Sequence, residues 1–158
     1  MVEKEKVVDE IIKKYSHRMP FPDRAGSLMR LYLQRGKLPE SDFNILALSL
    51  LASISEPLFL HIYSKEDLID DFFLLARNKE NLSFNKIKDS LQRKIFSSSK
   101  EVQNVINDFR LVHLSAVVVL DLLSILSFEE VCLALSDIAD AVVSTAIYLS
   151  EHKAMIQM

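Results

Sequence analysis

Two aspartates three residues apart, Asp137 and Asp140 in LSDIADAVV (135–143), come nearest in type and spacing to a reactive pair in this chain. On a helix they share one face, where paired carboxylates can hold a divalent cation or divide acid and base roles. Such a site also needs further ligands and a cationic or nucleophilic partner, and none lies nearby in sequence. A helical count places Leu133, Ile138, Ala141 and Val142 toward a packed side and leaves the two aspartates at its polar margin. Asp70 and Asp71 are a poorer pair, because adjacent helical residues diverge by about 100°, and they read as solvated helix surface.

The histidines His17, His61, His113 and His152 show no short spacing that would set two ligands on one helix face. His113, inside an apolar run, reads as a hydrogen-bonded interior or semi-exposed histidine. No G-x-S-x-G elbow exists to hold a strained serine. No glycine-rich loop, G-K-[ST], or G-S followed by D-x-D offers backbone N–H groups to a phosphate. The sequence therefore assigns no catalytic, cofactor-binding or metal-ligating residue.

The elements that would position any site are helices. Only two glycines occur and all four prolines fall at or before Pro57, which leaves little material for hairpins. Apolar spacing predicts helices over 2–16, 24–36, 41–53, 56–62, 65–78, 84–96, 99–126 and 128–153. The fold class is all-α, a bundle of about seven to eight helices ending in a long antiparallel pair. Ser64-Lys-Glu-Asp67 and Ser127-Phe-Glu-Glu130 read as helix starts, since a serine followed three residues later by an acid satisfies free N–H groups of a first turn. Gly36 stands where a helix C-cap is expected. Leu68, Phe72 and Leu75 mark one face of the fifth helix, and Val102, Val105, Ile106 and Phe109 begin a stripe that widens after Leu111 into nearly continuous apolar sequence.

The 158 residues suit a single helical domain over 1–158, with 49% hydrophobic and 26% charged residues, enough for a core and for solubility. The net charge is -3, and it is uneven: residues 1–38 are mildly basic, residues 39–158 acidic, and no Lys or Arg occurs from Leu111 to His152. That distribution argues against nucleic acid as a partner, since phosphate binding needs a basic stripe. The run 111–126 is shorter than the roughly 20 residues a membrane span requires and contains Asp121, so a buried helix and no membrane are expected. One cysteine, Cys132 in VCLAL, cannot form an intramolecular disulfide and reads as a small buried hydrophobe. With a charged N-terminus that is no secretory signal, this fits a cytoplasmic protein.

Two stretches resemble a family. ISEPLFLHIYSKEDLIDDFF (54–73) is similar to a segment near the start of bacterial glutamine synthetase adenylyltransferases, the bifunctional enzymes that attach AMP to glutamine synthetase and remove it. VINDFRLVHLSAVVVLDLLSILSFEEVCLALSDIADAVV (105–143) resembles their helical pair, in which a basic segment leads into D-L-L-G, E-E-V and L-S-D-L-A-D-A. The likeness spans about residues 45–150 and is most specific from Ser127 to Val143. It departs from the family where Leu111, Val112, Ala116 and Leu120 replace basic residues, where His113 replaces an acid, and where Ser124 replaces Gly.

The resemblance implies an N-terminal helical portion, cut short at Met158, of an enzyme of nitrogen regulation. In that family such a portion supports or docks a nucleotidyltransferase domain that binds Mg-ATP. No cofactor and no catalysis are then expected of this chain itself. The implied partners are the nucleotidyltransferase domain and glutamine synthetase, and the implied interdomain contacts are Arg110, Asp121, Asp137 and Asp140. The alternative is a stand-alone helical module that binds protein through an exposed apolar face, with self-association through the apolar helix 111–126 as one form of it.

Overall fold

Serine caps set the first half of the chain. In the computed structural model, which describes residues 2–35, 39 and 41–157 and, within these, side chains from Glu3 to His152, Ser41 and Ser55 turn extended backbone into helix. Ser41 Oγ accepts from the Asn44 N–H at 3.4 Å and Ser55 Oγ from the Leu58 N–H at 3.2 Å, each occupying a donor that a first turn leaves free. Ser55 also closes the preceding helix, through its N–H to the Leu51 carbonyl, so one residue ends α3 and begins α4.

The described residues form α1 (Val2–Tyr15), α2 (Pro22–Arg35), α3 (Asp42–Ile54), α4 (Glu56–Tyr63), α5 (Glu66–Arg77), α6 (Phe84–Ser97), α7 (Val102–Leu122) and α8 (Phe128–Gln157). Short 3-10 turns lie at Ser16–Arg18 and Lys79–Leu82, and no strand occurs among the described residues. The protein is all-α, as its scarcity of turn residues indicates. Gly36, the expected C-cap, lies outside the described residues.

Two local expectations are corrected and one is borne out. Ser64 does not cap α5: Lys65 holds the N-cap position, and Ser64 Oγ instead donates to the His61 carbonyl at 2.6 Å. The box at Ser127 does form, with Glu130 N–H to Ser127 Oγ at 3.2 Å and Ser127 N–H to Glu130 Oε1 at 3.1 Å. Helix α7 stops at Leu122 rather than continuing to 126, because Ser124 enters the left-handed region at φ 58. There the Ser124 N–H reaches the Asp121 carbonyl at 2.9 Å and the Ile125 N–H reaches the Leu120 carbonyl at 3.0 Å, the Schellman closure that favours Gly at this position. Arg18 steadies it, its guanidinium donating to the Leu122 carbonyl at 3.2 Å and to Ser124 Oγ at 2.9 Å.

Helix α7 is apolar nearly all round because it serves two cores. One, built from α1 to α5, takes Val112, Ala116 and Val119 of α7 and centres on Met29, Leu48, Phe59 and Phe72. The other, built from α6, α8 and the Lys79–Leu82 turn, takes Phe109, Val117 and Leu120 together with Ile87, Leu91 and Ile138. A helix hydrophobic on every side must be buried on every side.

Helix α8 lies against α6 and, less extensively, α7, and its packed side is Ala134, Ile138, Ala141 and Thr145. Leu133 and Cys132, read from sequence as packed and buried, are exposed, Leu133 at 62%. Small side chains took the contact because they let the two helix axes approach closely. Thr145 Oγ1 is buried there with no hydrogen-bond partner among the described residues. Replacing a buried, unsatisfied hydroxyl with a methyl of the same shape removes its desolvation cost. Thr145→Val is therefore expected to stabilise the fold by about 1 kcal/mol, measured by urea denaturation.

Candidate functional site

A cavity of about 670 Å³ opens between α5, α6 and α7. Its base is buried and largely apolar, formed by Leu68, Val105, Phe109 and Val112 together with Asp108 and His113. Its rim is exposed and charged, with Lys86, Asp89 and Arg93 on α6 and Lys100 just before α7. The α6 contributors recur three to four residues apart, so one helical face supplies them.

Asp108 is 7% exposed and has two partners from across the fold. His61 Nε2 donates to its Oδ1 at 2.9 Å and Lys65 Nζ to its Oδ2 at 3.0 Å. A carboxylate this buried is tolerable only when both oxygens are engaged, and here the engagement ties the α4–α5 corner to α7. His61 turns Nε2 to the carboxylate and the Ser64 hydroxyl is committed to the His61 carbonyl. The three residues act as a brace between helices, with no hydroxyl in line for activation.

His113 is different. It is 3% exposed, and its Nδ1 donates to the Phe109 carbonyl at 2.9 Å, which leaves Nε2 as a lone-pair acceptor on a cavity-lining residue. The Phe109 ring covers it at a centroid distance of 3.9 Å. Burial lowers its pKa from 6.5 to about 4, with Lys94 pushing the same way and the Phe109 carbonyl and Asp71 opposing. The imidazole is thus neutral at pH 7. Asp71, read from sequence as solvated surface, instead pairs with Lys94 at the cavity wall, while Asp70 remains exposed.

The four residues assigned to interdomain contact lie on two helices. Arg110 and Asp121 are exposed on α7, with Arg110 donating to Asn107 Oδ1 at 3.1 Å. Asp140 is exposed on α8 and Asp137 half-buried, its pKa raised by burial and then by Asp140. None of the four lines the cavity. No group of three or more His, Cys, Asp or Glu that could hold a metal ion occurs among the described residues.

The apolar run 111–126 is mostly interior, with Val112, Ala116, Val117, Val119, Leu120 and Leu126 all buried. Exposed apolar side chains are instead most numerous on α8, although Phe21, Leu74 and Phe96 are exposed elsewhere. Phe128 (77%), Leu133 and Val143 (57%) stand in solvent with Cys132, Leu135 and Ala139. Phe128–His152 is also long and apolar enough to cross a membrane, with 22% of its most apolar window buried.

Sequence reasoning missed the cluster of Asp108 with His61 and Lys65, which lie more than forty residues before it along the chain. A signal was present: Asp108 falls between Val105 and Phe109, at the margin of a stripe that had to pack. Comparisons with protein-family models, with curated proteins and with solved structures return no match for this chain. What the fold defines is a class: among the described residues, an all-helical protein with a charged-rim cavity and an exposed apolar face on α8.

Proposed function

We propose that this chain is a helical docking module that binds a partner helix along the outer face of α8. The observation that carries the reading is the uncharged stripe Phe128, Cys132, Leu135, Ala139, Val143 and Ala146, every member of it exposed on a helix whose other side is packed. Its spacing of threes and fours is that of a helix–helix seam, and its small central residues allow close approach. Along one edge run Glu129, Asp140 and Glu151, all exposed, each about three turns from the last. The fitting partner is an amphipathic helix with an apolar stripe and a lysine- or arginine-bearing flank.

Two features favour protein over lipid as the occupant. Insertion would strip α8 from α6 and carry Asp137 and Asp140 into hydrocarbon, at about 2.5–3.5 kcal/mol each. A helix lying on a membrane surface would carry Lys and Arg on its polar face, and residues 128–152 contain neither. The resemblance to glutamine synthetase adenylyltransferases narrows the partner further, to a nucleotidyltransferase domain or to glutamine synthetase in the cytoplasm. On that reading Asp140 belongs to the docking edge. A reading frame that continued past Met158 into G-S and D-x-D motifs would support it, and a different downstream sequence would remove it.

The general reading is tested with two peptide helices that share a Leu/Ala stripe and differ only in Lys or Glu flanks. The Lys-flanked peptide is expected to bind more tightly by fluorescence anisotropy, with affinity falling as salt rises. Val143→Lys is expected to weaken it at least about tenfold while changing folding stability by no more than about 0.5 kcal/mol. Equal affinity for both peptides, or binding indifferent to Val143→Lys, sinks the proposal.

A further inference from the structure

The geometry points to a second site, independent of α8: we propose that the cavity between α5, α6 and α7 binds a small organic acid that also carries a hydroxyl or N–H donor. Its volume of about 670 Å³ falls within the roughly 300–1,000 Å³ of small-molecule sites. Its polar groups are sorted by depth in a way that specifies both ends of the ligand.

At the buried end stands His113. Its Nδ1 proton is committed to the Phe109 carbonyl, and its Nε2 has no hydrogen-bond partner among the described residues. A neutral imidazole held in that tautomer can only accept, so the matching ligand group is an O–H or N–H. Nε2 is not sealed off, since Thr145 Oγ1 alone is a fully buried side-chain polar atom without a partner among the described residues, so it can meet a donor that enters the cavity. The apolar side chains Val105, Phe109 and Val112 beside it suit a ring or short hydrocarbon body.

At the exposed end the acids are mostly spoken for. Asp71 is held by Lys94, Asp108 by His61 and Lys65, and Asp67 lies 3.9 Å from Lys100 Nζ. Lys86 and Arg93 have no ion pair among the described residues, and Arg93 Nε reaches only the Asp89 carbonyl at 3.4 Å. Two uncommitted cations therefore face one uncommitted acid, Asp89, on the same side of α6. An incoming carboxylate adds the missing charge, and Arg can receive it through two parallel N–H groups.

The probes are 2-, 3- and 4-hydroxybenzoate, which vary the distance between acid and donor, with benzoate and phenol as one-ended controls. Binding is followed on the full chain by NMR, reading the ring nitrogens of His113. At least one hydroxybenzoate is expected to bind saturably, to shift the His113 Nε2 resonance while leaving Nδ1 protonated, and to bind about fivefold more tightly than either control. Arg93→Gln, a surface change, is expected to weaken it about fivefold or more, and His113→Phe to abolish its advantage over benzoate. If no hydroxybenzoate saturates, or if one binds no better than benzoate with His113 Nε2 unmoved, the proposal is overturned. The wild-type His113 resonance decides this even where a variant folds poorly.

Discussion

Lowering the pH from 6.5 to 4 removes about 3 kcal/mol of folding stability through His113 alone, and His113→Phe abolishes that part of the loss. In the folded protein the imidazole stays neutral down to about 4, because burial opposes its charge and Lys94 adds to that opposition. In the unfolded chain it takes up a proton near 6.5. Between these values the unfolded state binds more protons, so stability falls as the pH falls. Above 6.5 the contribution is constant, and below about 4 the loss is complete. Carboxylates begin to titrate near the lower limit, so the informative quantity is the difference in slope between wild type and His113→Phe from pH 6.5 to 4.5, by urea denaturation. At pH 5 that difference amounts to about 2 kcal/mol. Parallel slopes would mean that His113 is well hydrated in the folded protein, and the cavity would lose its neutral acceptor.

Ile138→Ala is expected to cost about 2–4 kcal/mol, whereas Leu133→Ala, less than two turns away on the same helix, changes stability by no more than about 0.5 kcal/mol. Ile138 is 2% exposed and packs with Leu91, Phe109 and Val117, so truncation leaves a cavity that α6 and α7 cannot readily close. Leu133 touches mostly water and has little burial to lose. The pair is measured at one pH by urea midpoints with unchanged m-values. Comparable costs for the two would mean that α8 sits on its neighbours by another face, and the docking stripe would have to be redrawn.

Those two residues also show why α8 resisted interpretation from sequence. Its composition is apolar almost all round, so periodicity alone does not say which side is inside. Counting large side chains selects Leu133, while the fold selected Ala134 beside the expected Ile138 and Ala141, because close helix packing rewards small residues. Cys132 followed Leu133 outward for the same reason. By contrast, α5 carries a strong contrast between Leu68, Phe72 and its acids, and there the stripe and the buried face coincide.

The sequence by itself determined the helices, their order and most of their limits. Those depend on interactions within a few residues: apolar spacing, the serine at 127 with its glutamate at 130, and the absence of glycine and proline after Pro57. It also indicated that the run 111–126 is buried, since a stretch with almost no polar side has nowhere else to go, and most of that run is interior. Only the tertiary structure decided that Asp108 would meet His61 and Lys65, that Asp71 would meet Lys94, and that His113 would turn a free nitrogen toward a cavity. Each of those depends on which helices become neighbours. That choice is made by the fit of whole faces, and a residue's local setting, such as that of Asp108 at the margin of its stripe, does not name the partner it will meet.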